Sequence, residues 1–290
     1  MEILIGADPE LFVKNKRSGR FVSAHNLIPG SKEEPFKVPF GAVQPDGVSA
    51  EFNIEPVKTL EEFKRNLKAV RNTMQQMIID KNSNLILVEE PVADFSKSTF
   101  DKIPAEAKVL GCTPDWNAYS MTMNPPPNAD GVYFRTGSGH VHIGWTNGVD
   151  EEDPEHIKMC ATLTKMLDYF LYSPSTLWDT DQRRRELYGK PGTFRPKHYG
   201  CEYRVLSNKW LKHDVTIDFV FDTINKVVDM LTSGVARKKY SLVIEELTAR
   251  RCYNFAGYSK DYLVRYFNDF LIFRIGLVTR EKMIELLECR

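Results

Sequence analysis

Three pairs of polar residues, each pair separated by a single residue, stand in segments with β-strand character. These pairs are Asp8 with Glu10, His140 with His142, and Glu202 with Arg204. Because side chains at positions i and i+2 of a strand point to the same face, the two members of each pair can share one ligand. A further carboxylate, Glu51, lies in the apolar segment Val48–Ile54. Carboxylates with imidazoles and no paired cysteines favour magnesium or manganese over zinc.

Each feature also has a simpler interpretation. Asp8-Pro9-Glu10 is typical of a surface turn, and a His-x-His pair can lie on the solvated face of a sheet. Glu202 and Arg204 can form ordinary cross-strand ion pairs. The occurrence of all three pairs together with Glu51 in one chain favours the metal-binding interpretation.

A segment rich in basic residues precedes the last pair. It contains Arg183–Arg185, the turn Tyr188–Gly192, Arg195 and Lys197. Guanidinium groups donate planar pairs of hydrogen bonds that suit phosphate and carboxylate oxygens, although a solvated basic turn is the alternative. The sequence has no P-loop, dinucleotide-binding glycine motif or kinase motif, so any nucleotide would be held by metal ions and arginines.

Short strands are predicted to position these residues. Residues 1–58 have the pattern of strands and turns, with turns at Arg17–Gly19 and Pro45–Gly47. Further strands are predicted at Leu85–Glu89, within Gly131–Trp145 and at Cys201–Ser207, and the Gly137-Ser-Gly139 turn leads into the second of these. Residues 124–130 and 180–200 are predicted to be loops.

Helices are predicted where apolar residues recur every three or four positions. A helix is expected over about 60–80, with Thr59 and Glu62 as a capping box, and a second after Asp153-Pro154. From about Asp214 the chain is predicted to be mainly helical, at 214–232, 259–274 and 280–288, the last capped by Thr279. Strands before residue 208 followed by helices favour an α+β fold, with an antiparallel or mixed sheet and helices on one face. We expect one domain, 1–290, with a core of about 1–207 and a helical C-terminal extension of about 208–290.

The composition indicates which classes of binding partner and which cellular location to expect. The 290 residues are 42% hydrophobic and 27% charged, which is typical of soluble globular proteins. Lys and Arg number 39 and Asp and Glu number 39, so no overall field attracts nucleic acid or a membrane, and neither partner is expected. The five cysteines form no C-x-x-C pair, and the apolar stretch after Met1 is shorter than a signal peptide requires. A cytoplasmic location is expected.

Several segments resemble one enzyme family. Thr136–His142 resembles the Gly-Ser-Gly-x-His-x-His segment of glutamine synthetases, and Glu202-x-Arg204 resembles their later Glu-x-Arg strand. Asp8-x-Glu10 is similar to the acidic pair on an early strand of glutamine synthetases and glutamate-cysteine ligases. Over roughly residues 1–207 the pattern resembles the phage-encoded COOH-NH2 ligase type 2 family, a branch of the glutamine-synthetase-like amidoligases. The other segments that carry this resemblance are Gly6–Glu10, His25–Gly30, Ala50–Ile54 and Gly111–Asp115.

The resemblance implies a fold and an activity. The fold would be a curved antiparallel sheet whose concave face holds ATP with two Mg²⁺ or Mn²⁺ ions, with helices packed on the convex face. The activity would be ATP-dependent ligation of a carboxylate to an amine through an acyl phosphate, in the host cytoplasm if the protein is phage-encoded. Substrates would be amino acids, polyamines or peptides, and an oligomer is allowed.

The resemblance also implies roles for individual residues. Glu10 and Glu51 would bind the metal beside the acceptor carboxylate. The metal on the ATP phosphates would be bound by Asp8, His140 and Glu202. Asp46 is a further candidate ligand, assigned to neither metal. Arg204 would stabilise the transferring phosphoryl group, and Arg184 and Arg195 are weaker assignments for a catalytic role. Since the larger enzymes have Glu where this chain has Asp8, the reach of that carboxylate is shorter by one methylene.

Other residues are candidates for binding the organic parts of the ligands. His142 and Arg184 are expected near ATP, with Tyr188 or Trp178 stacked on adenine. Substrate-binding candidates are His25, Asn26, Asp115 and Asn117. Ordinary loop packing or filling of the core is the alternative for all of these loop residues.

Three other functions fit parts of the pattern. A phosphagen-type kinase with a guanidino acceptor would keep the same phosphoryl-transfer residues. A non-catalytic phage structural or scaffold protein would need Asp8, Glu10, His140 and Glu202 only for stability. A zinc hydrolase using His140 and His142 is disfavoured because the sequence has no His-Glu-x-x-His motif.

Overall fold

Antiparallel strands make up most of the first part of the chain. The computed structural model describes residues 3–108, 115–127, 131–232, 254, 256–266 and 279–289. The strands in these residues are β1 (Leu4–Ala7), β2 (Glu10–Asn15), β3 (Phe21–Val22), β4 (Phe36–Val38), β5 (Gly41–Asp46), β6 (Ser49–Ile54), β7 (Leu85–Val88), β8 (Val92–Asp94), β9 (Trp116–Asn117), β10 (Thr122–Met123), β11 (Phe134–Thr136), β12 (Val141–Gly144), β13 (Thr193–Lys197) and β14 (Gly200–Tyr203).

The strands form two six-stranded sheets and one two-stranded sheet. The first sheet has the order β1-β12-β14-β13-β9-β10, and the second has the order β3-β2-β6-β5-β4 with β7 also paired to β2. Strands β8 and β11 pair with each other. Every paired strand in the described residues runs antiparallel to its neighbour. The expected antiparallel pairing is confirmed, although the strands are divided among three sheets.

The two sheets meet where the chain passes from β1 to β2. Strand β1 pairs with β12 in the first sheet, and β2 pairs with β6 in the second. Only Asp8 and Pro9 separate β1 from β2. Glu10 still donates its N–H to the carbonyl of Ser138 at 2.8 Å, while Phe52 donates to the carbonyl of Pro9 at 3.2 Å. Asp8 therefore lies at the junction of the sheets.

Helices cover one face of each sheet. They are α1 (Leu60–Lys81), α2 (Lys97–Phe100), α3 (Ala105–Lys108), α4 (Pro154–Leu167), α5 (Ser173–Ser175), α6 (Arg184–Leu187), α7 (Asp214–Thr232), α8 (Lys260–Tyr266) and α9 (Arg280–Leu287), with a π-helical turn at Asp168–Tyr172 and a 3-10 turn at Asn208–Lys212. Helix α1 packs on β5, β6 and β7, α4 packs on β13 and β14, and α7 contacts both helices. None of the helices described is long and apolar enough to cross a membrane.

Alternation along the strands separates an apolar face from a polar one. In β13 and β14, Phe194, Cys201 and Tyr203 are fully buried. Cys160 of α4 contacts the same face, with its Sγ 3.5 Å from the carbonyl of Gly200. The intervening side chains, including Glu202, point to the opposite face. The helices thus bury one face of the first sheet and leave the other for polar residues.

Most predicted helices are confirmed at their predicted positions. Thr59 accepts a hydrogen bond from the N–H of Glu62 at 3.3 Å, as the capping box requires. Asp153 caps α4 by accepting from the N–H of His156 at 2.8 Å. Helices α7 and α9 also match, and Thr279 caps α9. Parts of two predictions, at 267–274 and 128–130, lie outside the described residues.

The predicted loop at 180–200 is wrong, because it contains α6 and β13. Basic residues and Pro196 hide the alternation of β13 in the sequence. Among the described residues, β9 pairs only with Thr193 and Phe194 of β13, so Pro196 lies beyond the pairing that the structure describes on that side. The strand predicted at 201–207 is also too long, since β14 ends at Tyr203.

The glycines before the His-x-His pair allow two chain segments to pack closely. A Cβ atom at Gly139 would lie 2.5 Å from the carbonyl oxygen of Ser207, and Trp210 donates its indole N–H to the Gly139 carbonyl at 3.0 Å. Any larger residue at 139 would push the 3-10 turn away from β12. The need for glycine here therefore comes from packing in addition to the predicted turn.

A buried carboxyl group ties the helical layer to the first sheet. Asp168, in the π-helical turn, is fully buried and accepts hydrogen bonds from the hydroxyls of Tyr203 at 2.8 Å and Tyr119 at 2.9 Å. Burial raises the pKa of Asp168 from 3.8 to about 7, although the two tyrosines oppose the rise. The folded protein therefore holds a proton on Asp168 at pH values where the unfolded chain has lost it.

This difference predicts how Asp168 affects stability. As the pH rises from about 4 to about 7, the ionised form that burial disfavours becomes populated, and Asp168 contributes a loss of at most about 4 kcal/mol. We expect Asp168→Asn to make the free energy of unfolding fall less steeply over this range, as measured by urea denaturation. The exposed Asp80→Asn serves as the control and should keep the wild-type slope. Identical slopes for Asp168→Asn and wild type would contradict this expectation.

Candidate active site

The polar face of the first sheet carries a row of side chains from neighbouring strands. Arg195 in β13 lies opposite Glu202 in β14, and Glu202 lies opposite His142 in β12. His142 is in turn opposite Gly6 in β1, whose missing side chain leaves room beside the imidazole. The antiparallel register thus brings an arginine, a carboxylate and an imidazole together from distant parts of the sequence.

A second row crosses the other sheet. Glu10 in β2 lies opposite Glu51 in β6, and Glu51 lies opposite Gln44 in β5. The Glu10 carboxylate also accepts a hydrogen bond from the N–H of Ser138 at 3.0 Å, which links this row to the segment before β12. Because Asp8 stands at the junction of the sheets, the two rows face a common space.

That space is a cavity of about 170 Å³ with a strongly charged lining. Its acidic residues are Asp8, Glu10, Asp46, Glu51 and Glu202, its basic residues are Lys32, Arg135, Arg195, Lys197 and Arg204, and both His140 and His142 also line it. The positive charges are concentrated at one end of the cavity. Arg195, Lys197 and Arg204 all form ion pairs with Glu202, and none of the three pairs with Glu51.

Glu202 is the centre of the basic end. Arg204 contacts one of its carboxylate oxygens, and the other oxygen lies 3.2 Å from the guanidinium of Arg195 and 3.5 Å from the amine of Lys197. Burial, followed by the charge of Asp8, still raises the pKa of Glu202, although the cations oppose this. The carboxylate is almost fully buried, so the cations screen a charge that water cannot reach.

Asp8 is held between the two histidines. Its Oδ1 lies 3.1 Å from Nε2 of His142 and 3.6 Å from Nδ1 of His140. Burial acts to raise the pKa of Asp8, but the charge and hydrogen bond of His142 outweigh it and hold the pKa below its usual range. Asp8 in turn raises the pKa of His142 against the effect of burial, whereas burial and Arg204 hold the pKa of His140 well below its usual value.

The opposite end of the cavity gathers carboxylates. Burial, followed by the charge of Asp46, raises the pKa of Glu10 to about 7. Burial and the neighbouring charges of Asp8, Asp46 and Glu10 raise the pKa of Glu51 well above its usual value. Asp46 has a raised pKa for the same reason, and Lys32 opposes the rise. Burial and the neighbouring charges thus favour the protonated form of each of these groups more than water does.

The donor set fits a divalent cation. Asp8, His142 and Glu202 each offer one ligand atom, and these atoms lie within 4.8 Å of one another. His140 is 4% exposed, and its Nε2 has no hydrogen-bond partner among the described residues. The oxygen-rich group of Glu10, Glu51 and Asp46 matches the preference of Mg²⁺ and Mn²⁺.

Most of the residues singled out from the sequence line this cavity. They are the predicted metal ligands Asp8, Glu10, Glu51, His140 and Glu202, with Asp46, His142, Tyr188, Arg195 and Arg204. Both members of each polar pair line the cavity, although Asp8, His140 and Arg204 lie just outside the strands that hold their partners. The three ligand atoms that lie within 4.8 Å of one another belong to Asp8, His142 and Glu202, whereas the sequence assigned His140 to this group.

Arg184 and Asp115 lie outside this lining. Arg184 is fully buried, and its guanidinium donates to the carbonyls of Val205 and Leu206 at 2.7 and 2.8 Å. Those bonds hold the segment that follows β14. Asp115 is 3.3 Å from Nε of Arg204, so its carboxylate orients that guanidinium from behind.

The remaining candidates have contacts typical of loops and core. Asn117 accepts from the N–H of Tyr119 at 2.9 Å and shapes the turn between β9 and β10. His25 and Asn26 lie in a turn away from the cavity lining, and Asn26 has a positive φ of 64°. Trp178 is buried against Phe219.

Sequence reasoning missed two residues near the cavity. Arg135 is 6% exposed and donates to the carbonyls of Lys108 at 2.6 Å and Val132 at 3.1 Å. The sequence offered one signal for Arg135: it is a single arginine in the strand-like segment that precedes Gly137. Tyr199, whose hydroxyl contacts Nδ1 of His142, stands in a turn where spacing gave no signal.

Comparison with known proteins yields distant structural likenesses. Neither a protein-family model nor a curated protein matches the chain. The chain is similar to a solved structure described as a novel glutamine synthase homolog, with 11% sequence identity and a TM-score of 0.44. The match covers 99% of this chain and 66% of that chain, so this chain spans less than two thirds of its length. At this distance, neither the activity nor the ligands of that protein transfer to this chain.

The raised pKa of Glu51 predicts opposite effects of one substitution on stability and on metal binding. In EDTA at pH 8, Glu51→Gln should melt about 2–4 °C above wild type, because it removes an acidic group that burial and three neighbouring carboxylates disfavour when ionised. Added MnCl2 should raise the melting temperature of wild type more than that of Glu51→Gln. Differential scanning calorimetry measures both effects.

The exposed Glu152→Gln is the matched control for this substitution. In EDTA, Glu152→Gln should have the same melting temperature as wild type. Added MnCl2 should raise the melting temperature of the two proteins equally. An equal response of Glu51→Gln and wild type to MnCl2 would show that Glu51 binds no cation.

Proposed function

We propose that this chain is an ATP- and Mg²⁺-dependent carboxylate–amine ligase that forms an amide through an acyl phosphate. One observation supports this most strongly. The residues that the resemblance identifies as metal ligands come from four separate segments of the sequence, and all of them line a single cavity beside Arg195 and Arg204. A solvated turn or an isolated surface ion pair would not require this convergence.

The chemistry of amide formation accounts for the two kinds of charge in the cavity. A carboxylate does not react with an amine at neutral pH, so ATP must first phosphorylate it and supply a leaving group. Transfer of the phosphoryl group depends on positioning and on neutralising negative charge. The basic residues around Glu202 suit the phosphates, and the carboxylates at the other end suit cations.

Specific residues would hold the cations. Asp8 and Glu202, with His140 or His142, would bind the cation beside the phosphates, and Glu10 and Glu51 would bind the one beside the acceptor carboxylate. Bound there, the cations supply charge neutralisation at phosphate and carboxylate oxygens. The pKa of Glu10, raised to about 7, means that little work is needed to remove its proton when a cation binds at pH 7–8.

Arg204 has the contacts expected of a residue that stabilises the transferring phosphoryl group. Its guanidinium is held by Glu202 on one side and by Asp115 at 3.3 Å on the other, so its position is set before any ligand arrives. The ring of Tyr188 lies 5.3 Å from the guanidinium carbon, which covers one face of the group. Preorganised charge of this kind is worth most in a site shielded from water.

Arg195 and Lys197 complete the basic end. Both reach the same carboxylate oxygen of Glu202 from β13, and both also line the cavity. Alternation along β13 puts them on one face, two residues apart. They can neutralise phosphate oxygens while Glu202 keeps them in place. The amine and the carboxylate substrate are proposed to be drawn from amino acids, polyamines and peptides.

The activity predicts a specific effect of shortening Arg204. Purified protein with ATP and MgCl2 should release ADP when the correct pool of amino acids, polyamines or peptides is added. Arg204→Lys should lower that release by about 100-fold or more, because a lysine keeps the charge but loses the planar contacts to Glu202 and Asp115. A coupled ADP assay measures the rate.

Arg183→Lys is the matched control, because Arg183 lies in the basic segment but pairs with Asp94 and Asp181 at the surface. It should stay within about twofold of wild type, as surface pairs contribute little. Mass spectrometry of the active pool should show an amide, and a phosphorylated guanidino compound would instead identify a kinase. If no pool stimulates ADP release by a folded protein, the ligase proposal fails.

A further inference from the structure

Tyr199 approaches the cavity from behind His142. Its hydroxyl is hydrogen-bonded to Nδ1 of His142, and the two ring centroids are 6.0 Å apart. The other ring nitrogen of His142, Nε2, faces Asp8 at 3.1 Å. Nδ1 is therefore hydrogen-bonded to a phenol, and Nε2 lies at ion-pair distance from a carboxylate.

The backbone fixes Tyr199 independently of its hydroxyl. Its carbonyl accepts hydrogen bonds from the N–H groups of Trp145 at 2.9 Å and Thr146 at 3.1 Å. The next residue, Gly200, has φ of 152°, and a Cβ atom there would collide with the carbonyl oxygen of Ile143. This close approach of β14 to β12 places the phenol beside the imidazole, so removal of the hydroxyl alone should leave the turn intact.

We infer that Tyr199 is a positioning residue that fixes the ring of His142 with Nε2 towards Asp8 and the proposed cation position. The role in catalysis rests on the proposed function, whereas the role in fixing the ring does not. Groups that hold the second nitrogen of a histidine set its orientation and its tautomer. A histidine without such a partner would flip or exchange tautomers.

A hydroxyl is well suited to this position because it can both donate and accept a hydrogen bond. When Nε2 carries the proton and donates to Asp8, the hydroxyl of Tyr199 donates to Nδ1. When Nε2 offers its lone pair to a cation, Nδ1 carries the proton and donates to the hydroxyl oxygen. The proton moves from one ring nitrogen to the other by exchange with solvent, and the ring does not turn. A carboxylate or a carbonyl in place of Tyr199 could only accept.

Nitrogen NMR of the histidine rings tests the inference directly. The chain has six histidines, so ring-labelled protein gives few signals, and His142 is assigned by its loss in His142→Gln. At a pH above the raised pKa of His142, where the ring is neutral, wild type without added metal should show a single tautomer for His142. Tyr199→Phe should show a signal averaged between the two tautomers, while Tyr119→Phe, which removes the hydroxyl that contacts Asp168, should leave the His142 signal unchanged.

A second measurement follows the consequence for the cation. Calorimetry with MnCl2 should reveal a site that Asp8→Asn removes, and Tyr199→Phe should weaken that site by about 10–100-fold. The melting temperature of Tyr199→Phe should stay within about 4 °C of wild type, since one hydrogen bond is lost.

The outcomes separate this inference from the proposed function. An unchanged His142 signal or unchanged Mn²⁺ affinity in Tyr199→Phe would overturn the inference. If that variant does not fold, averaged tautomers in wild type would overturn it equally. A fixed ring and intact Mn²⁺ binding in a protein that never releases ADP would support the inference and count against the ligase.

Discussion

The burial of several carboxylates around one cavity is the constraint on which this structure depends. Asp8, Glu10, Glu51 and Glu202 are brought to one cavity by the junction of two sheets, where water screens their charges only weakly. Like charges at such distances destabilise the fold unless protons or cations compensate them. At one end the compensation comes from arginine, lysine and histidine side chains. At the other end, the raised pKa of Glu51 shows that the protein itself leaves the compensation incomplete.

This unequal compensation connects the fold to the proposed reaction. The helices α1, α4 and α7 bury the apolar faces of the sheets, which supplies the stability that a crowded acidic cavity removes. The sheets in turn hold their polar faces rigid, so that Arg204 and His142 keep their orientation without a ligand. A cavity whose carboxyl groups have raised pKa values, and which would bind cations under the proposed function, suits chemistry on phosphates, where charge must be neutralised with little reorganisation.

The sequence predicted the parts of the site that depend on local spacing. The i and i+2 spacing grouped Asp8 with Glu10 and Glu202 with Arg204 around one cavity, although Asp8 and Arg204 lie just beyond the strand ends, and helical periodicity located α1, α4 and α7. The roles of residues that depend on contacts between distant segments could not be predicted from the sequence. Three consecutive arginines gave no sign that Arg184 would turn to the carbonyls of Val205 and Leu206. Pro196 concealed β13, and Tyr199 acquires its role only because a turn folds back against β12.

The central claim is that divalent cations join ATP phosphates to the carboxylates of this cavity. Calorimetric titration with a non-hydrolysable ATP analogue tests it most directly, in MgCl2 and in EDTA, for wild type and for Glu202→Gln. The account predicts binding to wild type in MgCl2 and at least about tenfold weaker binding both in EDTA and in Glu202→Gln. Equal affinity with and without Mg²⁺, or no binding to wild type under either condition, would contradict it.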